Sequence, residues 1–262
     1  MKKFLLFAVC PLLIVPAAPA APPSSDDWGW WYLSLKGSYA MPDVSGTKER
    51  TALVSGESDI YDFSTKLKTT TDSHVGFKPA FGVQFNLPSI YGAIRFEAEY
   101  ADWGTLTAKD TKSDPDTMVY DINTGNLIVA PKSTNFDVRA RAINFNANYS
   151  IETGGRVRPY LGAGAGYNML SINSQYMNGS YSGKSNKSAN GVGYNFGAGL
   201  DIYLASSMTL DIGYRYSYFG KTDFDIPVYY NGIVNTVGLK AMDNYSMTVT
   251  AHEFTLGLRY QF

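Results

Sequence analysis

The chain ends on a strand. In the last ten residues, Glu253 to Phe262, the apolar residues Phe254, Leu256, Leu258, Tyr260 and Phe262 alternate with Glu253, Thr255, Gly257, Arg259 and Gln261. Side chains on a strand point to its two faces in turn, so this period of two builds one apolar and one polar face. An apolar strand face must be covered by another sheet or by lipid. Lipid accepts strands only as a closed ring, because every backbone N–H and C=O inside a bilayer needs a partner.

Seven earlier segments alternate in the same way. Trp30 to Tyr39 sets Trp31, Leu33, Leu35 and Tyr39 outward against Tyr32, Ser34, Lys36 and Ser38. Val75 to Leu87 sets Val75, Phe77, Phe81, Val83, Phe85 and Leu87 against Lys78, Gln84 and Asn86. Ala93 to Trp103 sets Ile94, Phe96, Ala98 and Tyr100 against Arg95, Glu97 and Glu99. In Phe136 to Ile151, Ile143, Phe145, Ala147 and Tyr149 oppose Asn144, Asn146 and Asn148, while Phe136 and Val138 break the parity, as at a bulge or above the membrane. Val157 to Leu170 places Leu161, Ala163, Ala165, Tyr167 and Met169 opposite Arg158, Tyr160 and three glycines. Val192 to Tyr203 and Met208 to Tyr218 follow, with Asn195 and Asp201, then Asp211, Gly213 and Arg215, on the inner side.

The connections alternate in length. Pro88–Gly92, Glu152–Arg156 and Ala205–Ser207 are short; Pro42–His74, Gly104–Asn135, Ser171–Gly191 and Gly220–Asn244 are long and polar. The pattern predicts an all-β chain: an eight-stranded antiparallel transmembrane β-barrel with short periplasmic turns, four long extracellular loops and both termini in the periplasm. Asn231-Gly232 between Pro227–Tyr230 and Ile233–Val237 predicts a hairpin, and Asn123-Thr-Gly125 predicts another between Met118–Asp121 and Asn126–Ala130. The Ser/Asn/Gly/Lys stretch Tyr176–Asn190 is expected to be mobile.

Lys2 and Lys3, the apolar run Phe4 to Val15 and Ala18-Pro-Ala20 have the form of a secretory signal, too short to span a bilayer. The expected division is residues 1–20 as signal peptide, 21–29 as a short periplasmic segment and 30–262 as the barrel. The single cysteine, Cys10, lies within the signal, so the mature segment carries no disulfide or cysteine chemistry. The net charge of −1 gives no reason to expect nucleic acid.

Four stretches carry a family resemblance: Ala93 to Tyr100, Arg158 to Tyr167, Leu210 to Tyr216 and His252 to Tyr260. Together they resemble the outer-membrane β-barrel family that includes the opacity-type surface adhesins. The resemblance covers most strands and none of the loops. It implies a monomeric barrel in the outer membrane of a diderm bacterium, acting as an adhesin, a porin-like protein or an envelope-stabilising protein. The expected partners are outer-membrane lipid and lipopolysaccharide, the barrel-assembly machinery with periplasmic chaperones, and a host-cell or other extracellular ligand at the loops.

The inner face collects Lys36, Lys78, Arg95, Arg158, Arg215 and Arg259 with Glu97, Glu99, Asp201, Asp211 and Glu253. Eight strands enclose just enough room for side chains, so these charges are expected to pair and fill the lumen; the alternative is a narrow ion path lined by them. Trp30, Trp31, Tyr149, Tyr203, Tyr260 and Phe262 are expected in an outer belt on the turn side, and Tyr39, Tyr100, Trp103, Tyr167, Tyr216 and Tyr218 in one on the loop side. Leu258, Tyr260 and Phe262 form the expected C-terminal assembly signal. Tyr61, Tyr120, Tyr181, Tyr229 and Tyr230 are the loop candidates for binding a partner.

A catalytic constellation is not apparent. Only His74 and His252 are present, and Glu253 faces away from His252, so no residue is assigned a catalytic role and no cofactor is expected. Asp114, Asp116 and Asp121 lack the spacing of a calcium loop and are expected to be solvated. The expected function is therefore non-catalytic: loops presented on a rigid barrel, with a small channel as the first alternative and a lipid-modifying enzyme as a remote one.

Overall fold

The structure is a computed structural model that describes residues 29–53, 60–87, 91–110, 118–121, 126–129, 132–178, 181–230 and 241–262. The signal segment, the Asn231-Gly232 hairpin and the acidic pair Asp114 and Asp116 lie outside the described residues.

The wall is built from β1 (Trp30–Leu53), β2 (Ile60–Thr71), β3 (His74–Leu87), β4 (Gly92–Asp110), β7 (Lys132–Ile151), β8 (Val157–Asn178), β9 (Tyr181–Ala205), β10 (Met208–Tyr230) and β11 (Ala241–Gln261). β5 (Met118–Asp121) and β6 (Asn126–Val129) form the separate hairpin expected around Asn123-Thr-Gly125. β3 and then β2 pair with successive parts of β1, so these two share one place in the wall and the ring has eight places. The ring closes where β11 pairs with β1, from Tyr32↔Gln261 to Ala52↔Ala241. Short turns gather at one end, where Glu152 N–H donates to the carbonyl of Tyr91 at 2.8 Å and Gln261 N–H to that of Ser207 at 2.8 Å.

The strands run well past the expected loop boundaries. The stretch expected to be mobile is instead ladder: β8 and β9 pair continuously from Asn178↔Tyr181 to Val157↔Ile202. In β4 and β10 the extension passes through a bulge. Gly104 has φ 69° and Gly220 φ 119°, and the register shifts at both, between Asp102/Thr105 and between Tyr218/Gly220. Glycine reaches positive φ without Cβ strain, and the extra residue resets the alternation. Trp103 and Leu106 are therefore both buried inside, as are Phe219 and Phe224.

The wall reverses its polarity along its length. On the turn side the outer face is apolar, with Phe145 69 % exposed, and the inner face is polar, with Lys78 and Glu253 at 0 %. Beyond the tyrosines Tyr39, Tyr100, Tyr167, Tyr216 and Tyr218 the order inverts. Outside stand Asp102, Thr105, Asp137, Arg139, Asn173, Lys221 and Asp223; inside is a dry cluster that includes Val44, Leu106, Phe136, Val138, Ile172, Phe224, Ile226, Tyr245 and Met247. Phe136 and Val138 thus need no bulge: they keep the inward parity of Asn144 and lie in the half whose core is apolar. The turn-side half is organised for lipid and the loop-side half for water, because burial of apolar area follows the solvent on each side.

The ladder is interrupted once at length. β9 and β10 pair from Met208↔Ala205 to Tyr218↔Tyr194, then again only at Tyr229↔Ser182 and Tyr230↔Tyr181. Between these, residues 183–193 and 219–228 face each other without ladder bonds. Asn168 of β8 fills the lower corner of this slit, donating to the carbonyls of Phe219 at 2.9 Å and Tyr218 at 3.4 Å. Gly193 leaves room for it: a Cβ there would meet Asn168 Nδ2 at 1.9 Å.

Candidate functional site

Inside the lipid-facing half, the charges form two linked layers. In the layer nearer the turns, Asp201 accepts from Arg95 Nη1 at 2.6 Å and from Ser150 at 3.1 Å, and Arg259 Nη1 stands 3.3 Å away. Arg158 Nη2 reaches Glu152 at the rim at 2.9 Å and its guanidinium lies over the Tyr203 ring at 4.8 Å. The guanidiniums of Arg95 and Arg259 stand over Tyr160 and Tyr32 in the same manner, at 4.9 and 5.5 Å.

In the layer nearer the loops, Lys36 Nζ lies 2.8 Å from Glu97, 3.8 Å from Glu99 and 3.9 Å from Asp211. Arg215 forks onto Glu99 at 2.5 and 3.2 Å, a bidentate geometry suited to a guanidinium. Glu253 takes Lys78, Ser217 at 2.5 Å and the Trp103 indole N–H at 2.8 Å. Tyr160 donates to Asp211 at 2.8 Å, and Asn195 donates to Asn146 at 3.0 Å. Burial without pairing would cost several kcal/mol per ion, and each of these charges has an opposite partner.

The structure brings together all ten interior residues singled out from sequence: Lys36, Lys78, Arg95, Glu97, Glu99, Arg158, Asp211, Arg215, Glu253 and Arg259. It adds Glu152, read as a turn residue, and the hydroxyls of Tyr32 and Tyr160. Two aromatics expected on the outer belts point inward instead: Trp103 is 2 % exposed and Tyr203 3 %. Each is held by a buried charge, Glu253 and Arg158 respectively, which a residue on the lipid face could not reach. Trp30 likewise shares the inward parity of Tyr32 and pairs with Gln84.

Leu258, Tyr260 and Phe262 lie on the outer wall, 44 %, 53 % and 61 % exposed. His252 is also outside, with Nδ1 2.5 Å from the Tyr214 hydroxyl, while Glu253 next to it points into the lumen. Tyr61, Tyr120, Tyr181, Tyr229 and Tyr230 fall on β2, β5, β9 and β10; their side chains lie outside the described residues. Among the described residues no group of three or more His, Cys, Asp or Glu could hold a metal ion.

A closed antiparallel ring, apolar outside and charged inside over its turn-side half, defines an integral β-barrel protein of the bacterial outer membrane. The model of the outer membrane protein beta-barrel domain matches residues 7–262, and the chain belongs to that family. No curated protein matches it. Solved structures that resemble it include Neisserial surface protein A, 20 % identical over 88 % of this chain and 97 % of that one, with a TM-score of 0.42. Outer membrane protein OprG from Pseudomonas aeruginosa is 14 % identical over 90 % and 96 %, TM-score 0.49. The outer membrane protease OmpT from Escherichia coli is 12 % identical over 91 % and 100 %, TM-score 0.46. Identities this low say nothing of activity.

Proposed function

We propose that this protein is a non-catalytic, non-conducting surface barrel that carries its loops beyond the membrane for adhesion, host contact or envelope interaction. The observation behind the reading is the filling of the lumen along its length. Paired charges occupy the lipid-facing half, and the dry cluster around Phe136, Tyr245 and Met247 occupies the half above it. An ion crossing would have to shed water into the apolar half, where nothing replaces its hydration. The loop tyrosines Tyr61, Tyr120, Tyr181, Tyr229 and Tyr230 supply the kind of rigid amphipathic anchor that binding surfaces favour. The separation of His252 and Glu253 onto opposite faces speaks for a role without catalysis, since a base and its orienting carboxylate must share a site.

Two measurements test this. In a planar bilayer the folded protein, verified by heat-modifiable migration, should show no steady current steps; defined steps would make the lumen a pore and overturn the reading. A variant with 111–117 and 231–240 replaced by short glycine turns and with Tyr61, Tyr120, Tyr181, Tyr229 and Tyr230 each changed to serine should still fold and insert but lose binding to whole cells. Equal binding by the trimmed barrel would remove the loops from the function.

A further inference from the structure

Arg141 is a guanidinium without a partner at the height where the wall leaves the lipid. On the outer surface of β4, β7 and β8 the last apolar row is Tyr100, Ile143 and Tyr167, neighbours in register. The next row is Asp102, Arg141 and Met169, and the one above is Thr105, Arg139 and Ser171. Tyrosines seat at the headgroup boundary, so Arg141 stands immediately on the headgroup side of it.

The acid beside Arg141 is already engaged. Asp102 Oδ2 accepts from Arg139 Nη2 at 3.2 Å, and its Oδ1 accepts the N–H of Gly104 at 2.8 Å, the bond that fixes the β4 bulge. Arg95, Arg139, Arg158, Arg215 and Arg259 all have a carboxylate within bridging distance. Arg141 has neither an ion pair nor a hydrogen bond among the described residues, and its Nε is buried without an acceptor. A half-buried guanidinium left unpaired is unfavourable, which favours an acceptor from outside the chain.

We propose that Arg141 binds a phosphate of a phosphorylated outer-leaflet lipid headgroup. The planar fork of a guanidinium matches phosphate oxygens two at a time, which a lysine cannot do. Asn190, in the row of Arg141 and Met169 on β9, and Ser171, one row above on β8, give amide and hydroxyl groups for sugar beside the phosphate. Asp102 acts as a gate on the site's charge: by holding Arg139 it leaves one guanidinium free rather than two. The inference rests on the orientation of the barrel in the outer membrane and is independent of adhesion or conductance.

The experiment is native mass spectrometry of the folded full-length protein in micelles, with bisphosphorylated lipid A, its phosphate-free analogue and inorganic phosphate as probes. Wild type should retain the bisphosphorylated lipid and not the phosphate-free one. R141Q should weaken retention by at least about tenfold, the scale of a lost charge-assisted hydrogen bond. R141K should recover part of it and D102N should strengthen it, while R156Q, in the turn on the other side of the membrane, should leave it unchanged. Heat-modifiable migration confirms that each variant is folded. Equal retention by R141Q, or an equal loss in R156Q, overturns the proposal. Displacement of the lipid by an equimolar amount of inorganic phosphate also overturns it, since the site would then be for a free anion.

Discussion

Trp103 on β4 donates its indole N–H to Glu253 on β11 at 2.8 Å, across the lumen. Lys78 shares that carboxylate and holds its ammonium 4.8 Å from the centre of the Trp103 ring. The ring system also meets Phe219 in a T-shaped contact, with centroids 4.6 Å apart. This one indole therefore joins the charged half of the lumen to the dry half: its N–H belongs to one and its hydrocarbon to the other.

The first prediction concerns that junction. E253Q keeps an acceptor for Trp103 and Ser217 but leaves the Lys78 ammonium buried without a counter-charge. It should lower unfolding stability in detergent micelles by about 3–5 kcal/mol, read from the urea midpoint. The double variant K78M/E253Q removes the stranded charge and should regain most of the loss. A double variant no more stable than E253Q would show that the pair is not what holds this layer.

The two bulges give an ordered series. A Cβ at Gly104 or Gly220 meets nothing within 4 Å, so substitution there tests the backbone alone. Gly104 has φ 69°, close to the left-handed region that asparagine visits, whereas Gly220 at φ 119° lies outside it. G104N should be nearly neutral, G104A should cost on the order of 1–2 kcal/mol, and G220A more. Trp103 fluorescence should stay blue-shifted in G104N. Equal losses for G104A and G220A would mean that the difference in φ does not set the cost.

Hydrogen exchange should map the slit. Amides of 183–193 and 219–228 that point across it lack ladder partners, while those of 194–202 lie between two paired strands. The former should exchange in the early time points and the latter persist for hours, since protection follows local hydrogen bonding. Uniform protection along β9 would mean the slit closes in solution.

The last residue separates stability from assembly. Phe262 N–H donates to the carbonyl of Trp31 at 3.1 Å, but its ring is 61 % exposed and packs on lipid rather than core. Deleting Phe262 should change the refolded barrel's stability by no more than about 0.5 kcal/mol, as for a surface change. In cells it should cut the heat-modifiable outer-membrane fraction severalfold. Unchanged assembly would overturn the expectation that Phe262 acts with Leu258 and Tyr260 in assembly.

The alternation in the sequence located the lipid-spanning part of all eight places in the wall, because a period of two is written residue by residue, but it missed β2, which lies in the stretch read as the loop Pro42–His74. It stopped short at each long connection: β1, β8 and β9 continue where the outward residues turn polar, and β4 and β10 continue past a bulge. At Gly104 and Gly220 the extra residue shifts the phase, so a continuing strand reads as the start of a loop. Alternation also tells which residues share a face, not which solvent that face meets. Phe136 and Val138 looked out of register only because the lumen was taken to be polar throughout. Trp103 and Tyr203 carry the parity of Glu99 and Asp201, so the alternation alone points them inward, against their expected place on the outer belts. Their aromatic character suggested the rim, yet a large ring with one polar atom fills a lumen beside a buried charge equally well. The pairing of particular acids with particular bases was not legible, since it depends on which strands come together around the ring.

The reversal of polarity along the wall has a consequence for how such a surface can diversify. Outward residues of the loop-side half, such as Thr105, Asp137, Arg139 and Asp223, answer to water alone, while the inner cluster holds their strands in register. Each can change without disturbing the bilayer contact below or the dry core behind it. The projecting half is thus a rewritable stalk: its chemical character can drift along its flanks, not only at its tips, while the same ladder keeps the protein anchored.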